Sequence, residues 1–150
     1  MTLEIRPMTA DDYDAALNLW QRCTGMGLSA ADEREPLSRF LEQNSGLSFV
    51  AFNNEHLVAT CLCGTDGRRG FLYHLAVDPT LRRLGLGGQL VARVFAELAW
   101  RGIEKCHIMV YAENTEGLAF WDRTGWVRRG EIVLMSKDVT GSDQEDHGKC

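Results

Sequence analysis

The fold is decided in the stretch Gly70–Trp100, GFLYHLAVDPTLRRLGLGGQLVARVFAELAW. Phe71–Val77 is short, apolar and aromatic, and Asp78-Pro79 closes it, so it reads as a largely buried strand ended by a breaker. From Leu84 onward the period becomes helical. Leu90, Val91, Val94, Phe95 and Leu98 share one face, Gln89, Arg93, Glu97 and Arg101 fill the other, and Gly102 stands at the stop. Between strand and helix lies Arg82-Arg83-Leu84-Gly85-Leu86-Gly87-Gly88. A glycine costs a helix about 1 kcal/mol relative to alanine, so three in four residues at its start need another reason. Without Cβ atoms, first-turn N–H groups can surround an anion, and the helix dipole adds positive charge there. Two arginines immediately upstream strengthen that field. The segment reads as a pyrophosphate cradle.

Two familiar phosphate loops do not fit it. Gly88-Gln89-Leu90 lacks the Lys and Ser/Thr of a Walker A loop. A Rossmann fingerprint needs a third Gly or Ala where Leu90 stands, and an acidic residue about 20 positions on. The next strand, Cys106–Ala112, begins without one.

The residues instead resemble the acetyl-CoA motif of the GNAT superfamily of N-acetyltransferases. Arg82, Gly85 and Gly87 meet its Arg/Gln-x-x-Gly-x-Gly/Ala pattern, and Leu75-Ala76-Val77-Asp78-Pro79 looks like its splayed central strand. Asn114, then Ala119-Phe120-Trp121, then Gly125-Trp126 is similar to the family's Asn, Ala-x-Phe-Tyr, Gly-Phe segment. The resemblance runs from Leu3 to about Asp138. Within the superfamily, Leu19–Cys23 and Asp66–Gly70 look like the small bacterial YpeA-type acetyltransferases.

The resemblance implies acetyl-CoA as cosubstrate and a primary amine as acceptor, on a small molecule, a peptide N-terminus or a lysine. It implies that Leu75, Ala76, Val77, Arg82, Arg83, Leu84, Gly85, Leu86, Gly87, Gly88, Gln89, Asn114 and Phe120 bind the cofactor. In such a fold the pantetheine arm lies in the V between the central strand and Cys106–Ala112. A homodimer stays open.

Bulk properties are ordinary for a soluble globular protein. The chain has 150 residues, 45% hydrophobic and 25% charged, with a formal net charge of −5. That is one domain's length, and the charge disfavours a nucleic-acid surface. No apolar run is long enough for a membrane span, and the N-terminus lacks a signal-peptide pattern, so a cytoplasmic protein is expected. Five cysteines (Cys23, Cys61, Cys63, Cys106, Cys150) form no disulfide-framework spacing and read as free thiols. Cys61-x-Cys63 has no second pair at zinc spacing, so no metal is expected.

In order, the chain reads as a strand at Leu3–Arg6, a helix from Thr9 to about Gly25, and a short helix at Pro36–Gln43. A hairpin of Leu47–Phe52 and His56–Cys63 follows, then the central strand and long helix. Strand Cys106–Ala112, helix Thr115–Thr124 and a final pair of strands within Trp126–Asp138 complete the pattern. The order βααβββαβαββ predicts an α/β (α+β) fold, a mixed sheet with helices on both faces. A single domain is expected over 1–139, and the polar tail 140–150 is expected to be disordered.

A thioester is already activated, so an amine can attack it directly if the amine is neutral, the carbonyl polarised and the thiolate stabilised. Many family members carry a tyrosine acid where this chain has Trp121, and positions that often hold a carboxylate match Phe71 and Met109. The substitutes are Tyr73, on the predicted face of Phe71, Leu75 and Val77, and Tyr111, on that of Met109. Glu113 beside the splay is a third. By alternation His74 lies opposite Tyr73, towards a helix layer, and reads as structural. Asn114 also suits a helix cap. Trp20, Met26 and Leu28 are candidates for the acceptor pocket, and Arg68 and Arg69 read as a solvated turn. A rival reading of the missing tyrosine is a catalytically weak acyl-CoA-binding sensor or regulatory module.

Overall fold

The computed structural model of the chain describes residues 2–140. Five strands form one sheet in the order β1-β2-β3-β4-β5: β1 (Leu3–Pro7), β2 (Phe49–Asn53), β3 (His56–Thr65), β4 (Gly70–Val77) and β5 (Cys106–Ile108). The first four pair antiparallel, while β5 joins β4 in parallel. Helices α1 (Tyr13–Arg22) and α2 (Arg34–Gln43) cover one face, and α3 (Leu86–Trp100) covers the other, followed by α4 (Thr115–Arg123). The mixed α/β architecture expected from the sequence is present.

Alternating strand residues feed two apolar layers. On the α1–α2 face, Leu19, Trp20 and Leu37 pack on Val50, Leu62 and Ala76. On the α3 face, Leu86, Leu90, Val94 and Leu98 pack on Phe49, Ala59, Cys61, Cys63 and Leu72. Cys61 and Cys63 thus share a face, as a strand's period of two requires. The root of α1 is fixed electrostatically. Thr9 N–H donates to Asp12 Oδ2 at 2.9 Å, and Arg6 grips the same buried carboxylate at 2.8 and 2.9 Å. Burial alone would raise the Asp12 pKa, but the Arg6 and Thr9 hydrogen bonds win and hold it below the ordinary value.

Three expectations are corrected. The final pair of strands does not form: 126–138 joins no ladder, and Ile132–Met135 is exposed, Met135 at 87%. Its apolar residues fall on both sides of the backbone, so strand-like composition here finds no sheet to enter. The strand expected over Cys106–Ala112 keeps only Cys106–Ile108, because it leaves β4 after the Leu72↔Ile108 pair. The alternation assumed along β4 also breaks. Between the pairs Leu62↔Tyr73 and Thr60↔Ala76, β4 holds one extra residue, and His74 adopts φ +47°. This bulge puts Tyr73 and His74 on the same face, towards α1 and α2, while Leu75 and Val77 turn to the α3 face. The tail expected to be disordered, with Cys150, lies outside the described residues apart from residue 140.

Candidate active site

The bulge and the early departure of β5 create one cleft. It is lined by Thr24–Gly27 after α1, Leu72–Leu75 of β4, Ile108–Tyr111 running out of β5, and Asn114 and Trp121 of α4 and its cap. Pairing of β4 with β5 ends at Ile108, whereas β4 continues to Val77, so the strands diverge as a V. Beyond that point the β4 backbone on this side has no ladder partner.

The glycine segment stands at the edge of the V. Asp78 caps the turn after β4, accepting from Thr80 N–H at 3.0 Å, which with the Arg22 ion pair keeps its pKa low. Gly85 is the α3 N-cap at φ +80°, a conformation glycine enters freely. The first helical bond runs from Gln89 N–H to the Gly85 carbonyl at 3.1 Å, so the N–H groups of Leu86, Gly87 and Gly88 precede it. Space beside Gly85 and Gly88 is open. Gly87 lies under Phe120 and Leu75, where an added Cβ would sit 3.5 and 3.6 Å from them. Leu75 therefore touches the cradle and lines the cleft. Leu86 and Ala76 are buried in the core and offer a ligand only backbone, while Leu84 is exposed. Arg82 lies 3.7 Å from Glu116 in an exposed ion pair. Arg83 follows in a left-handed conformation, φ +67°.

The candidate catalytic residues fall into three groups. Tyr73 and Tyr111 line the cleft; Tyr73 meets Phe40 edge-on at 5.9 Å, and Tyr111 lies against Gly27 so closely that a Cβ there would collide with its ring. Trp121 also lines the cleft but is only 7% exposed, fixed edge-on between Phe120 and Trp126 at 4.9 and 5.0 Å. Glu113 is exposed and outside the lining. Asn114 caps α4 by accepting from Gly117 N–H at 3.0 Å, and its side chain also faces Gly25. Of the acceptor-side residues, Met26 lines the cleft, whereas Trp20 is a core side chain at 1% exposure. Arg68 and Arg69 belong to the exposed Asp66 turn.

Sequence reasoning passed over a polar cluster at the bulge. His74 Nε2 lies 2.6 Å from Asp32 Oδ1, and its ring packs on Trp20 with centroids 4.8 Å apart. Trp20 Nε1–H donates to Thr60 Oγ1 at 2.9 Å, and that hydroxyl donates to the His74 carbonyl at 2.8 Å. Asp32 is held in turn by Ser29 N–H on Oδ2, at 3.0 Å, and by the Tyr13 hydroxyl on its carbonyl, at 2.8 Å. Residue 74 was judged by strict alternation, which the bulge cancels; the histidine so near Leu75-Ala76-Val77 was the available signal.

A sheet that splays beside a glycine-rich helix start defines a class of α/β protein with a cleft along one strand and unbonded backbone N–H groups at its edge. The family model described as "Acetyltransferase (GNAT) family" matches residues 13–126, and the chain belongs to that family. It is 32% identical over 121 residues to Acetyltransferase ECA0875 of Pectobacterium atrosepticum, covering 81% of this chain and 85% of that protein. Among solved structures it resembles the PaiA N-acetyltransferase of Thermoplasma acidophilum in complex with coenzyme A, with a TM-score of 0.73 and 18% identity over 83% and 89% of the two chains. It also resembles AAC(6')-Iy in complex with the bisubstrate analogue CoA-S-monomethyl-acetylneamine, with a TM-score of 0.71 and 17% identity over 92% and 99%. The protein is an N-acetyltransferase. No described helix is long and apolar enough to cross a membrane, and among the described residues no three His, Cys, Asp or Glu side chains come together as a metal site.

Proposed function

We propose that the protein transfers the acetyl group of acetyl-CoA to a primary amine by direct attack within a ternary complex. The observation that carries this reading is the continuity of cradle and V through Leu75, whose side chain lies beside Gly87 and which also lines the cleft. The α3 N–H groups, with Arg82 and Arg83, hold the pyrophosphate. The backbone of Leu75–Val77 pairs with the pantetheine arm, Asn114 receives its amide groups, and Phe120 walls it off from Gly87. Backbone N–H groups at the bulge polarise the thioester carbonyl. Tyr73 and Tyr111 are the hydroxyls that can attend the departing sulfur, and Trp121 forms the apolar wall where many relatives carry a tyrosine. Glu113 takes no step.

Support for an amine acceptor comes from the aminoglycoside portion of the bisubstrate analogue bound to AAC(6')-Iy. The loop Thr24–Gly27 and the run Ile108–Tyr111 form the two walls against which such an acceptor would lie. A panel of polyamines, aminoglycosides and short peptides, assayed for CoA thiol release, tests the activity. Thiol release dependent on an amine is expected; CoA binding with no release from any amine would overturn the reading. Direct transfer is tested separately. Cys61 and Cys63 are buried; burial pushes the Cys61 thiol well above the ordinary range, and a hydrogen bond with Cys106, with burial, does the same for Cys63. Intact-mass analysis after incubation with acetyl-CoA alone should show no acetyl adduct.

For location and assembly we propose a cytoplasmic homodimer. The free thiols suit a reducing compartment. Each chain offers an open sheet edge at β5 and an extended apolar segment at 126–139, and a second copy satisfies both. Sedimentation equilibrium of the wild type against Leu134→Asp tests the assembly, a dimer that becomes a monomer being the expected result.

A further inference from the structure

Twelve residues besides two glycines line the cleft: aliphatic residues and methionines, two tyrosines, one tryptophan, one threonine, one asparagine and one histidine. Only imidazole among these accepts a proton readily near neutral pH, tyrosine ionising near pH 10. That histidine is His74, at the bulge where the strands part, beside Leu75. Its left-handed backbone is uncommon for a residue with a side chain, and such strain gathers at functional sites. Here the Thr60 hydroxyl and the Trp20 ring hold it in place.

Asp32 determines which nitrogen is available. A carboxylate only accepts, so the 2.6 Å contact assigns a proton to His74 Nε2, and in the neutral ring the lone pair is then on Nδ1. Both side chains are about seven-eighths covered, at 13% and 12% exposure, and Asp32 is fixed by Ser29 and Tyr13. Other ionisable groups nearby are the Tyr13 hydroxyl, the Arg34 guanidinium over the Tyr13 ring with its partner Asp14, Glu33 beside Asp32, the Cys23 thiol bonded to the Val77 carbonyl, and Tyr73 and Tyr111 in the cleft.

We propose that His74 is the general base of the transfer and Asp32 its positioning residue, an assignment that rests on the transferase reading above. The acceptor arrives as an ammonium ion. His74 Nδ1 takes one proton, becoming imidazolium against the Asp32 carboxylate, and the freed nitrogen lone pair forms the C–N bond to the thioester carbonyl. The C–S bond breaks, its electron pair leaves on sulfur, and the thiolate takes the second nitrogen proton to give CoA thiol and the amide. His74 then returns its proton to water. Nothing is oxidised or reduced.

The test uses His74→Asn, because asparagine tolerates a left-handed backbone, and Asp32→Asn, which keeps the shape of the carboxylate. The acceptor is the amine from the panel that the wild type acetylates fastest. In His74→Asn, kcat should fall about 10²–10⁴-fold, the acid limb of the wild-type pH profile should move up to the acceptor amine's own deprotonation, and the CoA dissociation constant by calorimetry should stay within about twofold. In Asp32→Asn, kcat should fall in the same direction, and the imidazole ¹⁵N shifts of His74, assigned by difference from His74→Asn, should leave the Nε2–H pattern seen in the wild type. A His74→Asn enzyme that keeps its rate and its acid limb overturns the base. Unchanged ¹⁵N shifts in Asp32→Asn overturn the positioning role, and that readout needs no turnover. A wild type that binds CoA but acetylates no amine overturns the transferase reading itself.

Discussion

The two ends of the cleft are built by opposite means. The cradle is local: Arg82 to Gly88 are consecutive, and what it offers is backbone N–H groups whose direction is set by one helix. The acceptor end is assembled from Trp20, Asp32, Thr60, His74 and Tyr111, which lie on α1, a loop, β3, β4 and the run beyond β5, and nearly every polar atom there is engaged by another side chain. A site made of backbone tolerates change around it and fails at its glycines. A site made of a hydrogen-bond network loses stability when a substitution leaves its partners unpaired.

The largest effect should come from Thr60→Val. The substitution keeps the shape but leaves the buried Trp20 Nε1–H and the His74 carbonyl without partners. Orphaned buried groups cost about 1–3 kcal/mol each, so denaturant unfolding should show a loss of roughly 2–6 kcal/mol for the two. CoA affinity by calorimetry should be unchanged. A parallel loss of affinity would mean that the two ends are not independent.

Next comes Gly85→Val. A β-branched residue at φ +80° cannot keep the α3 N-cap. CoA binding should weaken at least tenfold, about 1.4 kcal/mol, with the Trp20 fluorescence environment intact. Gly87→Ala sharpens the point: its methyl meets Phe120 and Leu75 at ordinary contact distance, and affinity should stay within about threefold.

The root of α1 should also weaken in acid. Asp12, at the root of α1, has a folded pKa below its unfolded one. Its contribution is therefore fully present above the unfolded value, about 3.9, and is lost as pH falls through the folded value. Stability should drop below about pH 4 in the wild type, and Asp12→Asn should be less stable at neutral pH with a shallower acid drop. Circular dichroism melts at several pH values check this. The smallest effect is expected from Glu116→Gln, which frees Arg82 from an exposed ion pair. Such pairs are worth about 0–1 kcal/mol, so CoA should bind up to about fivefold tighter, and the gain should shrink in high salt.

The same contrast explains what could be read from sequence. The cradle, the α3 stripe of Leu90, Val94 and Leu98, and the hairpin of β2 and β3 are short-range patterns, and the structure holds them with boundaries moved by a few residues. The bulge at His74 has no local signature, since no glycine or proline marks it; it follows from fitting three β4 residues against two intervals of β3. With it went the face of Tyr73, and the link from His74 to Asp32, 42 residues earlier in the chain. The strands expected in 126–138 fail for the converse reason. Ile132–Met135 has strand composition, but composition does not supply a neighbour to pair with.

The thiols of Cys61 and Cys63 give the molecule a clock. Both sit at zero exposure between β3 and α3, whereas Cys23 and Cys106 are partly open. A cysteine-directed reagent can reach the inner pair only when α3 lifts from the sheet. Under native conditions the rate at which the mass increments for Cys61 and Cys63 appear therefore measures the opening free energy of the layer that carries the cradle. Saturating CoA should slow these two increments, since a ligand bound to the closed state alone stabilises it. The increment at Cys23, on the acceptor side, should keep its pace.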